Sequence, residues 1–346
     1  MQFSNSVIQG ITAQRRERVV GPAIDTYRFP PPIVFGCDDP ERALALVEFV
    51  ANHATLFDRA AASFDDPASR EWLRALYVFM ALGPHHVRLP TNQPAYWAHY
   101  EQAARLRTGA SGVWFGDTEL DLFALDYLGE RIELACRVGH VAFSFLRGQY
   151  MFDRLGVRIA PAAGDVVIDA GACLGDTALA FAAAVGPAGR VLSFDPMPSH
   201  AQIFQANVAR NPKLAGRIAL IEAAIGTVTG EMVSFEDRGA ASRPSETGQV
   251  QATTLAIDDV VRAERLDRVD FIKMDIEGGE LEALAGAMDT IRRFKPKLAI
   301  SAYHKIDDLL MLPAAIRAIE PGYRLYLDHY TVHQEETVIF ATPCER

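Results

Sequence analysis

From residue 166 onward, short apolar runs rich in β-branched residues alternate with segments of helical spacing, and this alternation restricts the fold more than any other feature. VVIDAG (166–171), RVLSFD (190–195), RIALIEAAI (217–225), VDFIKMDI (269–276) and KLAISAY (297–303) read as five strands. DTALAFAAAVG, SHAQIFQANVAR, TLAIDDVVRA, GELEALAGAMDTIRR and LLMLPAAIRAI read as the helices that follow them. Near-continuous apolar strands joined by helices imply an α/β, doubly wound, Rossmann-like parallel sheet covered on both faces. The last two runs, YRLYLDH and TVIFAT, lie too close together for a helical crossover and should close the sheet as an antiparallel hairpin.

The chain before residue 166 reads differently. Asp39-Pro40-Glu41 and Asp66-Pro67 are helix-start signals, each ahead of an apolar run, and Pro94 opens a third helix. TELDLFALD and RIELAC, joined by Leu128-Gly129-Glu130, alternate apolar and polar residues as a β-hairpin does. The expected organisation is a mainly helical N-terminal region (1–111), a hairpin and helix lead-in (112–150) and the α/β domain (151–346). RGAASRPSETGQ (238–249) is small, polar and turn-rich, which predicts a mobile surface loop.

Composition narrows the function classes. The net charge is −10, whereas nucleic-acid binding depends on Lys and Arg neutralising phosphates, so no nucleic-acid partner is expected. The four cysteines, Cys37, Cys136, Cys173 and Cys344, form no CxxC or Cys/His cluster, which predicts neither a zinc site nor a disulfide framework. Without an apolar h-region near the start or a run of about 18 apolar residues, the expectation is a cytoplasmic chain with no membrane span.

Ligands of open α/β sheets bind outside the carboxyl ends of the strands. Those ends carry Asp169-Ala170-Gly171, then Asp195-Pro196, Glu222-Ala223-Ala224 and Asp275-Ile276-Glu277-Gly278-Gly279, with His304 and His329 after the next two. The first turn, DAGACLGDT, supplies Gly171, Ala172, Cys173, Gly175, Asp176 and Thr177 as candidate ligand-binding residues. Its glycines admit close backbone approach, and a helix N-terminus follows. A GxGxxG nicotinamide fingerprint would need glycines where Cys173 and Asp176 stand, and Asp176 would oppose a pyrophosphate. Asp195, at the end of the second strand, is placed to accept hydrogen bonds from ribose hydroxyls, or to cap the next helix.

DVVIDAGACLGDTALAFA, LSFDPMP and above all FIKMDIEGGELEAL resemble the FkbM-type methyltransferases, over roughly residues 148–340. The resemblance implies S-adenosylmethionine as cofactor and an oxygen, less often a nitrogen, as methyl acceptor on a glycan or secondary metabolite. It implies Asp169, Gly171 and Gly175 as the cofactor loop, Asp195 as ribose anchor and residues 275–280 as a strand-end motif. Class I methyltransferases share the terminal antiparallel hairpin. Two other readings remain: an adenosyl-binding scaffold without catalysis, and a nicotinamide-dependent oxidoreductase. The acceptor would be a small molecule or glycan, and the N-terminal region would cover its site or join subunits in a homo-oligomer.

Asp275, Glu277, His304 and His329 are the catalytic candidates. A hydroxyl is a poor nucleophile, and a histidine that takes its proton would help the transfer, with His329 slightly preferred. Asp275 and Glu277 could position cofactor or acceptor, or join a histidine around a divalent ion, although no dense ligand spacing calls for a metal. Glu280 fits helix capping.

Overall fold

The computed structural model describes residues 2–29, 39–237, 239, 242–245 and 247–344. Its centre is a seven-stranded sheet of β1 (Val166–Ala170), β2 (Arg190–Phe194), β3 (Ile218–Ile221), β4 (Phe271–Met274), β5 (Lys297–Ser301), β6 (Tyr323–His329) and β7 (Thr337–Pro343). The order is β6-β7-β5-β4-β1-β2-β3. β7 runs antiparallel to β5 and β6, and the other pairs are parallel. The order therefore reverses between β1 and β4, so their carboxyl ends, at Ala170 and Met274, open side by side. Alternate residues of each central strand enter different cores. Ile168, Leu192 and Ile272 pack with the N-terminal helices, whereas Val167, Val191 and Phe271 pack beneath the lead-in segment.

Two long predicted helices are broken. The first divides into Pro40–Asn52 and Ala54–Ser63, and Asp39 caps its start by accepting from the N–H groups of Glu41 and Arg42. The second divides into Glu280–Ala285 and Met288–Phe294. Between these halves lies Gly286, where a Cβ would stand 2.1 Å from the Gly226 carbonyl oxygen. Sequence periodicity did not reveal helix Phe3–Gln14 or strand Arg107–Phe115. That strand crosses the boundary expected at 111/112 and joins Thr118–Tyr127 and Glu130–Cys136 in an antiparallel sheet.

The third predicted strand is also shorter than expected. β3 stops at Ile221, and Ala224–Ile225 pairs instead with Val250–Leu255, in a small sheet with Met232–Glu236 and Arg243–Pro244. TLAIDDVVRA thus starts as strand at Thr254 and Leu255 and continues as the helix Ile257–Ala263. Of the loop expected at 238–249, residues 238, 240, 241 and 246 lie outside the described residues, and Arg243–Pro244 is a strand.

The N-terminal helices pack directly on the sheet. Val50, Phe57, Leu73 and Leu76 share one core with Leu325, Leu327 and Ile339. Along the outer edge of β6, Asp65 N–H donates to the Leu325 carbonyl and its side chain accepts from Leu325 N–H, at 2.9 and 2.7 Å. Ser69 Oγ accepts from Leu327 N–H at 2.8 Å, and Arg154 donates to the Leu327 carbonyl at 3.1 Å. Among the described residues, no helix is long and apolar enough to cross a membrane.

Candidate active site

The loop after β1 is held in a conformation few sequences allow. Gly171, Cys173 and Gly175 have φ of 80°, 44° and 87°. A Cβ at Gly171 would lie 1.8 Å from the Asp275 carbonyl oxygen, so the ends of β1 and β4 touch only because residue 171 is glycine. Gly175 faces Phe204 in the same way, at 2.9 Å.

A lysine that sequence reasoning overlooked supports this loop from below. Lys273 stands within β4, 1% exposed, in a strand whose other residues are all apolar. Its ammonium lies 3.3 Å from Asp169 Oδ1 and donates to the carbonyls of Gly171 (2.6 Å) and Ala170 (3.2 Å). Burial works against the charge, but Asp169 and then Asp275 hold the Lys273 pKa above its ordinary value. The signal was present in FIKM, because a lysine inside a buried strand requires a partner.

Two cavities flank the loop. The first, about 470 Å³, is lined by Asp195, Pro196, Ala223, Ala224, Ile225 and Phe235 among others. Asp195 is 4% exposed; its Oδ2 accepts from Cys173 N–H and its Oδ1 from Met197 N–H, each at 2.9 Å. His200 Nδ1 also lies 2.9 Å from Oδ1; burial opposes its charge, yet Asp195 raises its pKa. Asp195 does not cap the next helix, whose N-cap is Met197 without a side-chain cap bond, and its Oδ2 keeps a lone pair beyond the one that Cys173 N–H uses.

The second cavity, about 640 Å³, is lined by Ala172, Asp176, Thr177, Tyr150, Lys273, Tyr303, His304 and residues of the N-terminal region. Gly171, Cys173, Asp275 and Glu277 line both cavities. Four expected residues line neither. Asp169 is fully buried behind the loop, accepting from Thr177 Oγ1 at 2.9 Å, and supports the loop instead of facing a ligand. Gly175 is a packing position, and Glu222 is exposed. His329 is 2% exposed, 2.8 Å from Thr337 Oγ1 and packed against Trp72. Burial drives its pKa down to about 3. The preference for His329 as a base is corrected, because its imidazole is buried between Thr337 and Trp72 and lines neither cavity.

His304, by contrast, stands among carboxylates. Its Nδ1 is 3.0 Å from Glu280 Oε1, and its Nε2 is 3.4 Å from Asp275 Oδ1 and 3.7 Å from Glu277 Oε2. Burial disfavours the charge, but Glu280, Asp275 and Glu277 outweigh it and raise the pKa to about 9. Glu277, at φ 56°, goes the other way: burial first, then Asp275, raises its pKa to about 7. Asp275 lies below its usual range; burial alone would raise it, but Lys273, His304 and the hydroxyls of Tyr150 and Tyr303 lower it. Those hydroxyls donate to Oδ2 and Oδ1 at 2.7 and 3.0 Å. Ligand atoms of Asp275, Glu280 and His304 lie within 4.8 Å of one another, close enough for a cation. Both ring nitrogens face carboxylates, an arrangement that favours the imidazolium, whereas a metal ligand would need a neutral nitrogen.

Glycines and acids at the carboxyl ends of β1 and β4, on a sheet with a terminal antiparallel strand, define a Rossmann-like α/β protein with a strand-end site. Residues 169–325 match the family model of the methyltransferase FkbM domain. The likeness to that domain spans a little under half of the chain. A search of curated proteins gave no match. Among solved structures, methyltransferase FkbM from Methylobacillus flagellatus KT is 23% identical with a TM-score of 0.54. The match covers 85% of this chain and 60% of that one, so the chain spans under two thirds of that protein's length. An O-methyltransferase from Bacillus cereus in complex with SAH is 14% identical (TM-score 0.35; 74% of this chain, 93% of that one). Aeropyrum pernix fibrillarin with S-adenosyl-L-methionine is 12% identical (TM-score 0.36; 68% and 97%).

Proposed function

We propose that the protein is an S-adenosylmethionine-dependent O-methyltransferase acting on a hydroxyl of a small-molecule or glycan acceptor. The observation that carries this reading is the meeting of two cavities at Gly171, Cys173, Asp275 and Glu277. A methyl group passed between two bound molecules must cross such a junction. The first cavity suits an adenosyl group: Asp195 offers a carboxylate lone pair for ribose, and Phe235, Ile225 and Ala224 offer an apolar wall for a base. The cofactor supplies a methyl group already activated on a sulfonium, so the chain's own task is largely alignment and exclusion of water.

In this reading Asp195 fixes the adenosyl end, and the Gly171–Cys173 turn fixes the other end. Asp275, anchored by two tyrosine hydroxyls, orients the groups at the junction. Glu277 takes the proton of the acceptor hydroxyl, because a carboxyl titrating at about 7 is a competent base at neutral pH. Protonated His304 holds the Asp275 and Glu277 carboxylates in place. Calorimetry with S-adenosylhomocysteine, followed by mass spectrometry of extracts incubated with methyl-labelled cofactor, tests the reading. Tight NAD binding without adenosyl-cofactor binding would overturn it. Cofactor binding with no labelled product would favour an adenosyl-binding scaffold.

A further inference from the structure

Residues 25–29 belong to the N-terminal region, carry no motif, and yet form part of the second cavity: Tyr27, Arg28 and Phe29 all line it. The turn is pinned by Asp25, which is fully buried. Asp25 accepts from the Tyr96 hydroxyl at 2.5 Å and from the N–H groups of Tyr27 and Arg28 at 2.9 and 3.1 Å. Its own N–H donates to His333 Nε2 at 3.0 Å. Asp25 thereby fixes where the Arg28 side chain begins.

From Arg28 a single chain of hydrogen bonds runs to the end of β4. Arg28 Nη2 donates to Glu336 Oε1 at 2.5 Å. Glu336 sits in the β6–β7 connection at φ 62°, a strained backbone for a residue other than glycine, and its side chain is only 12% exposed. Its Oε2 accepts from the Gln149 amide. The same amide donates its second hydrogen to the Tyr150 hydroxyl at 3.1 Å, and that hydroxyl donates to Asp275 Oδ2 at 2.7 Å. Valence fixes the directions: Glu336 accepts from both Arg28 and Gln149, the amide spends its two hydrogens on Glu336 and Tyr150, and the phenol has only its one to give to Asp275. Glu336 and Gln149 have few alternatives, because both are largely buried and a buried carboxylate needs a cation.

We propose that Arg28 is a positioning residue for methyl transfer: through Glu336, Gln149 and Tyr150 it holds the Asp275 carboxylate at the junction of the two cavities. The N-terminal region then completes the site from a distance, in addition to covering it. The proposal rests on the reading of Asp275 as part of the transfer site. Removing the guanidinium leaves Glu336 without its cation and Gln149 without a fixed acceptor. Tyr150 is then free to rotate, and Asp275 can turn away from His304, whose Nε2 it faces at 3.4 Å.

That displacement has a readout that needs no acceptor. His304 is surrounded by Asp275, Glu277 and Glu280, with Asp308 and Lys305 on the following turn, and titrates at about 9. Its ring resonances, assigned by their loss in His304→Asn, can be followed by NMR as a function of pH. In Arg28→Met and in Tyr150→Phe, His304 should titrate about one pH unit lower, as expected when one carboxylate leaves its side. Arg28→Lys should keep most of the parent value. The double variant Arg28→Met/Tyr150→Phe should titrate no lower than Tyr150→Phe alone, since both act through one chain; independent sites would add. Gln149→Leu, which cuts the chain without exposing a charge, carries the same expectation if Arg28→Met does not fold. A parent-like titration in folded Arg28→Met or Gln149→Leu, or additive shifts in the double variant, overturns the proposal. Calorimetry with S-adenosylhomocysteine on the same samples separates the two readings: a parent that fails to bind removes the cofactor assignment and leaves the titration result standing.

Discussion

Replacing Lys273 by Met would remove the only cation that, among the described residues, pairs with the fully buried Asp169 carboxylate, the two side chains being 1% and 0% exposed. Breaking a buried ion pair from one side typically costs about 3–5 kcal/mol, because the remaining charge is left in a poor solvent. Asp169 would keep the Thr177 hydroxyl at 2.9 Å, which places the expected loss near the lower end, about 3 kcal/mol. At roughly 2.1 cal/mol/K per residue, a chain of this length has an unfolding entropy near 0.7 kcal/mol/K, so the Tm should fall by about 4 °C. Lys273→Met/Asp169→Asn removes both charges and leaves a neutral amide for Thr177, so it should recover at least about half of the loss. In either variant the Gly171 carbonyl loses its lysine partner, while that of Ala170 keeps the Asp275 N–H at 3.0 Å. S-adenosylhomocysteine should therefore bind about tenfold more weakly to both, equivalent to about 1.4 kcal/mol. Urea unfolding and calorimetry measure the two quantities. A Lys273→Met protein that loses under about 1 kcal/mol, or a double variant less stable than the single, would refute the argument that the lysine is there to neutralise Asp169.

Four further outcomes follow from the site and the residues around it. With Glu277 titrating at about 7 and His304 at about 9, turnover should rise through the first value and fall through the second. Glu277→Gln should abolish the rising limb and lower turnover by about two to four orders of magnitude, while a rising limb that survives excludes Glu277 as the base. Both groups are raised above their unfolded values, so their stabilising effect is complete below the unfolded pKa and is lost as pH climbs through about 7 and about 9. Acid-to-alkaline unfolding scans should show that loss on the alkaline side. Asp195→Ala should weaken S-adenosylhomocysteine binding by about 1–3 kcal/mol, and unchanged affinity by calorimetry would dissociate Asp195 from ribose. His329→Gln should reduce stability by about 1–2 kcal/mol through its lost contacts with Thr337 and Trp72, and leave single-turnover rates within about twofold. A large fall in rate with the fold intact would return that histidine to the site.

The α/β sheet was legible because its signals are local. β-branched runs, capping acids and loop glycines announce themselves over a few residues, and strand ends follow from them. Asp195, Asp275, Glu277 and His304 were found by that route. The residues that were missed depend on distance instead. Nothing near Arg28 or Glu336 in sequence indicates that they meet, 308 positions apart. Asp169 and Asp275 both end strands, yet one points behind the loop and the other into the cavities, a difference set by the pleat and by Lys273. His329 misled because strand-end position was taken as exposure, while its ring is buried against Thr337 and Trp72. The helix breaks at His53 and Gly286 were hidden because periodicity continues through them, although tertiary contact does not permit one straight axis.

The row of bonds along β6 has a consequence for any shortened form of this chain. An edge strand with bare N–H and C=O groups is a template for another chain's strand. Here Asp65, Ser69 and Arg154 occupy the outward groups of Leu325 and Leu327; Asp65 comes from the connection between two N-terminal helices and Ser69 from the helix Pro67–Leu82. These residues act as a chaperone built into the same polypeptide, keeping the last-made strands of the sheet from finding partners between molecules. Ribosomal synthesis makes the helices first, so the guard is already present when β6 emerges. A chain started near Gly112 would expose that edge together with the apolar surface around Leu325 and Ile339. It should self-associate, visible as concentration-dependent light scattering, even though every strand of its sheet is intact.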